Sequence, residues 1–336
     1  MDEAEPVWAL GLMSGTSMDG VDAAMLLTDG ERIEAFGPTR FRPFTRAELR
    51  LLIGGAAAAS TTPTARLRQP VQWPLPVRAA AMTATESHAE AVEALMAERG
   101  LPRPALIGFH GQTLVHRPDE GFTLQVGAGA RLAARLGVSV VDDFRSADMS
   151  AGGQGAPLVP VFHAALARKL GVAGPVAFLN IGGVANITWI DPPSGRLIAF
   201  DTGPGNALLN DWMAATRGAA YDEGGQAALA GRADTACIAR WLENPFFADR
   251  PPKSLDRGTF KHVLEDVADL TPEDGAATLA GYTVATVGVA LQWLPAPPER
   301  WLVCGGGRHN RALIEGLTQR LNAPVEPVEA VGFDGD

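Results

Sequence analysis

The sequence predicts a two-lobed α/β protein built on a duplicated mixed-sheet domain, and two stretches predict it. Residues 8–36 run WALGLM, SGTSMDG, VDAAMLL, TDG, ERIEAF, which reads as strand, glycine-rich loop, strand, turn, strand. Residues 176–200 repeat the plan as VAFLNI, GGVAN, ITWI, DPPSG, RLIAF. In each unit a loop of small residues lies between strands that short turns can pair antiparallel. Backbone N–H groups approach phosphate oxygens closely where no Cβ intervenes, so two such loops facing each other would hold a polyphosphate in a cleft between lobes. That arrangement points to an enzyme that uses ATP. At 336 residues the chain is long for one core, and the expected division is a first lobe over 1–135 and a second over 136–336.

The remaining elements follow in order. Residues 46–58 (RAELRLLIGGAAA) and 65–99 fit helices, the latter interrupted by Pro70, Pro74 and Pro76. In TESHAEAVEALMAERG, Thr85 is placed as an N-cap, Ala89, Val92, Leu95 and Met96 as the apolar stripe, and Gly100 as the stop. ALIGFHG (105–111) reads as a buried strand running into a loop, FTLQVG (122–127) and VSVVDDF (138–144) as further strands, with a helix over ARLAARLG between them. This alternation implies a largely parallel sheet with helical crossovers. In the second half, helices are expected over VPVFHAALARKLG, from near Asn206, over 273–294 and over RHNRALIEGLTQRLN, with a strand at WLVCGGG (301–307). PPKSLDRGTF (251–260) reads as a loop.

The net charge of −10 argues against nucleic acid, whose binding requires a basic surface to displace counterions. Cys237 and Cys304 have no paired spacing, so neither a disulfide framework nor a thiolate metal site is expected, and a reducing cytoplasm is the expected compartment. The acidic start MDEAEPVWAL lacks the apolar stretch of a signal peptide. The longest apolar run, VAGPVAFLNIGGVANITWI, is broken by Gly, Pro and Asn and reads as buried strands rather than a membrane span.

Four loops suit nucleotide binding: SGTSMDG (14–20), IGGVAN (181–186), DTGPGN (201–206) and CGGGRHN (304–310). Each glycine cluster alone reads more readily as a tight turn than as a ligand contact. Together, at strand ends of a duplicated α/β chain, they form a ligand site. No G-x-x-x-x-G-K-[ST] run is present, and GLMSG does not have the G-x-S-x-G spacing of a hydrolase elbow. Asp19 and Asp22 lie in or beside the first loop, where each either makes turn hydrogen bonds or holds Mg²⁺ through water. Asp201 ends LIAF and is placed either to orient an attacking hydroxyl or water, or to cap a turn. FHGQTLVHRP (109–118) brings His110, Gln112, Thr113, His116 and Arg117 into one stretch whose hydrogen-bonding groups suit a sugar and a carboxylate. DDFRSAD adds Asp143, Arg145 and Asp148, as a salt-bridged loop or as part of the site.

These motifs resemble the anhydro-N-acetylmuramic acid kinase family. The likeness runs in order through GLMSGTSMDGVD, GFHGQT, FTLQVG, DDFR, GGQGAPLVP, LNIGGVANIT, FDTGPGN, PPKSLDR and LVCGGGRHN, from about residue 9 to the C-terminus. The resemblance implies the two-lobed actin-like ATPase (ribonuclease H-like) fold and a cytoplasmic enzyme of peptidoglycan recycling. It implies that ATP and water act on 1,6-anhydro-N-acetylmuramic acid, with the anhydro ring opened hydrolytically and O6 phosphorylated. By the same resemblance Asp201 is the catalytic base. Gly15, Thr16, Ser17, Met18, Asp19, Gly20, Val21 and Asp22 bind ATP phosphates, and Gly305, Gly306 and Gly307 lie near the adenosine. Gly182, Gly183, Gly203, Gly205 and Asn206 complete the expected nucleotide site, Mg²⁺ at Asp19 the expected metal, and His110, Gln112 and Thr113 with Asp201 the expected sugar contacts. Homodimers occur in the family. Its members continue into a C-terminal helix, with a sugar-binding glutamate, that is missing after VGFDGD here, and its absence implies weaker substrate binding. Competing readings are an ordinary sugar or acyl-group kinase of the same superfamily and a non-catalytic actin-like ATP-binding module.

Overall fold

In the first predicted strand, buried Leu10, Leu12 and Ser14 alternate with exposed Gly11 and Met13, and this period of two gives a strand with one packed face. The computed structural model describes residues 5–15, 17–98 and 100–335. By contact the chain separates into two units, Met1–Leu158 and Val159–Asp336.

In the first unit β1 (Val7–Ser14), β2 (Gly20–Thr28) and β3 (Ile33–Pro43) form an antiparallel meander, with Met13 opposite Asp22 and Asp22 opposite Phe41. Helix α1 (Arg46–Thr61) opens with a capping box in which Thr45 Oγ1 accepts from Glu48 N and Glu48 accepts from Thr45 N. After the short α2 (Thr64–Leu67), α3 (Leu75–Met96) buries Val77, Ala80, Ala84, His88, Ala91 and Leu95, spaced three and four apart, and packs on β1 and β2. Strand β4 (Leu106–Arg117) runs parallel to β1. Strand β5 (Phe122–Val126) returns antiparallel on the second half of β4. Helix α4 (Gly129–Leu136) then leads to β6 (Ser139–Val141), parallel to the first half of β4. Helix α5 (Phe144–Ser150) follows. The division expected after residue 135 falls at the end of α4, whereas the residues through Leu158 stay with this unit because β6 pairs with β4.

The second unit begins with α6 (Pro160–Leu170), then the antiparallel meander β7 (Val176–Ile181), β8 (Val184–Asp191) and β9 (Arg196–Pro204). Helices α7 (Asn206–Arg217), α8 (Gln226–Ala230), α9 (Thr235–Trp241), α10 (Val263–Asp266) and α11 (Pro272–Ala290) precede β10 (Arg300–Cys304), α12 (Arg311–Arg320) and β11 (Val325–Pro327). Strand β10 is parallel to β7 and β11 to β10. Helix α11 is apolar on nearly every side, so it runs through the core, packing Leu279, Tyr282 and Val287 among Trp212, Trp241 and Trp301. No helix among the described residues is long and apolar enough to cross a membrane.

The two sheets share one plan. Each has three antiparallel strands, a fourth parallel to the first, and one parallel to the fourth, in the orders β3-β2-β1-β4-β6 and β9-β8-β7-β10-β11, and the first sheet adds a sixth strand, β5, antiparallel on β4. The expected duplication is therefore present.

Three local expectations change. Thr85 lies inside α3, where its hydroxyl donates to Ala81 O and accepts from Ala128 N, so the helix tolerates it without being capped by it. The helix instead starts at Leu75, with Pro76 in the first turn where a missing N–H costs nothing. HGQTLVHR is strand, not loop, because β5 satisfies its backbone; Gly111, at φ 71°, bends β4 where pairing passes from β6 to β5. DDFRSAD is largely helical, with Phe144 beginning α5.

Candidate active site

In the first unit the loop between β1 and β2 spans Gly15–Asp19. Met18 there has a left-handed backbone and donates its N–H to Gly15 O at 3.1 Å. Asp19 is exposed, and its Oδ1 accepts from Ser17 Oγ at 2.9 Å and Gly20 N at 3.1 Å. Thr16 lies outside the described residues. Buried Ser14 donates to the Gln112 side-chain oxygen, and Gln112 Nε2 donates to Gly15 O at 3.1 Å and Thr113 O at 3.3 Å. Both ends of the Gln112 amide thus hold the loop to β4. Val21 is fully buried and Gly20 packs under Phe41, so these two and Asp22 stand in β2 beyond the loop.

His110 is buried with its tautomer set by its partners: Nδ1 donates to Gly111 O at 2.8 Å, and Nε2 accepts from Arg145 Nε at 2.8 Å. Burial, then the Arg145 charge, lowers its pKa and keeps it neutral at pH 7. Arg145 also donates to Gly155 O at 2.5 Å, and Asp148 Oδ2 accepts from Gly155 N at 2.7 Å. A cavity of about 490 Å³ adjoins this cluster, with His110, Thr123, Gln125, Asp142, Asp143 and Ser146 in its wall. Thr113 accepts from Gln125 Nε2 at 3.1 Å, and His116 Nδ1 lies 3.1 Å from Thr123 Oγ1. Arg117 is taken up elsewhere: its guanidinium donates to Ala59, Ser60 and Thr62 carbonyls at the end of α1.

In the second unit the expected loop IGGVAN contracts to Gly182 and Gly183, since β8 begins at Val184. Gly205 N donates to Gly183 O at 3.0 Å and Asn206 N to Gly182 O at 2.7 Å, which seats the start of α7 on that turn. The glycines separate into two kinds. A Cβ on Gly205 would stand 2.3 Å from Gly182 O, and one on Gly305, at φ 71°, 2.3 Å from Asn180 Oδ1, so the fold itself requires them, as it does Gly203 against Thr286 and Gly307 against Ile181. At Gly182, Gly183 and Gly306 a Cβ would meet nothing closer than 3.6 Å, so the chain's own packing does not demand glycine there. A cavity of about 450 Å³ opens beside Gly306 and Asn206, walled also by Tyr221, Glu223, His309 and Asn310. Of these walls, Tyr221 and Glu223 lie in AAYDEGG, a stretch that adjoins no predicted strand end and so carries no signal of its own in the sequence.

Asp201 is in β9, one residue after buried Phe200. Its N–H donates to Lys253 O at 3.1 Å, and its Oδ2 accepts from Leu255 N at 2.7 Å. Burial raises its carboxyl pKa from 3.8 to about 6, against the opposing pull of the Leu255 N–H. Such a carboxyl is charged at neutral pH yet basic enough to take a proton. The role of residues 253–255 carried no signal in the sequence beyond their place in PPKSLDR. Among the described residues no group of three or more His, Cys, Asp or Glu could hold a metal.

The model of the family described as anhydro-N-acetylmuramic acid kinase matches residues 7–336. The anhydro-N-acetylmuramic acid kinase of Rhodospirillum rubrum is 51% identical over 333 residues, covering 98% of this chain and 84% of the relative. That of Methylobacterium nodulans is 49% identical over 338 residues, covering 97% and 88%.

Proposed function

The chain belongs to the anhydro-N-acetylmuramic acid kinase family and is a kinase, and from that premise we propose how its residues divide the work. In the proposed step water adds to C1 of 1,6-anhydro-N-acetylmuramic acid, the C1–O6 bond breaks, and O6 takes the γ-phosphoryl group of ATP. The products are N-acetylmuramic acid 6-phosphate and ADP. Asp201 receives the water proton. An anhydro-sugar has no free 6-hydroxyl, so a base aimed at O6 would find no proton to remove, whereas a base on the C1 side is what the reaction needs. The observation that carries this assignment is the half-buried Asp201 carboxyl within β9, gripped by the Leu255 N–H and with its pKa raised to about 6.

In the second unit Gly182, Gly183 and Gly306 are where a phosphate or the adenosine approaches the backbone, since the protein's own packing leaves room for a Cβ at each; in the first unit the loop between β1 and β2 is a phosphate loop in its own right. The cavity beside Gly306 takes the adenosine. The cavity beside His110 takes the sugar, with His110 held neutral and Arg145 locked to it, while Gln112 acts by holding the phosphate loop. Mg²⁺, when bound, neutralises phosphate charge while keeping most of its waters; exposed Asp19, a hard oxygen donor beside the loop, suits a water-mediated contact. We place the enzyme in the cytoplasm, and homodimerisation is carried over from the family.

ADP release with MgATP tests this against three acceptors: the anhydro-sugar, N-acetylmuramic acid, and none. Turnover is expected with the anhydro-sugar alone. Turnover with the free sugar alone would replace this reading by that of an ordinary sugar kinase.

A further inference from the structure

Asp201 is held by backbone rather than by a charged partner, so its position depends on what holds residues 253–255. These belong to a segment without regular secondary structure, running from Pro251 to Arg257. One side chain in it is tied down. Lys253 Nζ donates to Phe246 O at 2.8 Å and sits over three aromatic rings, 4.4 Å from Phe246, 5.8 Å from Trp293 and 5.9 Å from Phe200. Phe200 immediately precedes Asp201, and neighbours in a strand point to opposite faces. The lysine therefore engages β9 twice: its ammonium lies over the Phe200 ring, and its carbonyl receives the Asp201 N–H. Burial lowers the ammonium pKa, and Asp249 is the acidic group whose charge opposes that shift.

We propose that Lys253 is a positioning residue for Asp201, its ring-caged ammonium fixing the segment that supplies the Lys253 carbonyl and the Leu255 N–H. The proposal rests on the reading of Asp201 as the general base. A lysine that served only to cover the core would not need to place its charge against three rings and a carbonyl; an apolar side chain would serve as well. Misplacing a reacting group by about 1 Å costs on the order of 10²-fold in rate.

The test compares wild type with K253M, K253R and D201N in three measurements: steady-state ADP release with MgATP and the anhydro-sugar, thermal melting, and a carbon-13 carboxyl titration of Asp201, assigned by its loss in D201N. K253M is expected to lower kcat by about 10- to 100-fold with the sugar KM changed less than about threefold, as for a misplaced base. K253R, which keeps a cation over the rings, recovers most of the loss. In K253M the Asp201 carboxyl titrates higher than in wild type, because its N–H partner is loosened. If K253M fails to fold, K253Q takes its place. Wild-type kcat together with an unmoved Asp201 titration, whatever the melting temperature, overturns the proposal. A D201N enzyme of near wild-type activity would instead remove the base assignment, and the titration would still decide whether Lys253 positions Asp201.

Discussion

The proposed role of Asp201 couples chemistry to stability. As a base it must be ionised, so kcat/KM is expected to rise with pH through an apparent pKa near about 6 and to fall on the acid side. Asp201→Asn should lower kcat by at least about 10²-fold, the scale of a lost general base, and a mutant within about threefold of wild type would refute the role. The stability effect has the opposite sense. A carboxyl raised in the folded state stabilises the fold below its unfolded value of 3.8, and that contribution is lost as pH rises through about 6. The asparagine variant should therefore match wild type near pH 4 and exceed it at pH 8, by up to about 3 kcal/mol. Denaturant melts of the two proteins at both pH values measure this difference. Arg117 illustrates the reverse lesson: it stands in the polar FHGQTLVHRP stretch, yet its guanidinium serves the α1 carbonyls.

At the scale of elements, the glycine loops do two jobs that sequence alone does not separate. Gly205→Ala drives a methyl into Gly182 O and should destabilise the second unit by about 2 kcal/mol or more, as overpacking does, seen as a lower melting temperature. Gly183→Ala meets only ordinary contacts, so its melting temperature should stay close to wild type while the KM for ATP rises about tenfold or more. Equal effects of the two on melting would dissolve the distinction. The capping box of α1 and the bend at Gly111 show the same division: the Thr45 and Glu48 pattern is local and readable, whereas Gly111 is needed because β4 changes partner there.

For the molecule as a whole, the repeated strand order means that each unit carries its own sheet and its own core. On the proposed reading Mg²⁺ enters with ATP, so a chelator should abolish turnover while leaving the melting temperature of the nucleotide-free protein unchanged within about 1 °C. A large fall in melting temperature on adding EDTA would instead reveal a structural metal.

Sequence by itself determined the duplicated α/β plan, the family, the glycine loops and Asp201, because strand periodicity, turn chemistry and ordered motifs are local properties of the chain. It also marked PPKSLDR without a role. Tertiary structure alone decided what those residues touch. Pairing with β5 turned HGQT from loop to strand, burial raised Asp201, the Ser14 contact committed Gln112 to the first loop, and the approach of Asn180 and Gly182 separated obligatory glycines from those left open for a ligand. Each of these depends on a group distant in sequence, and desolvation, close approach and hydrogen-bond partnership arise only when the fold brings such groups together.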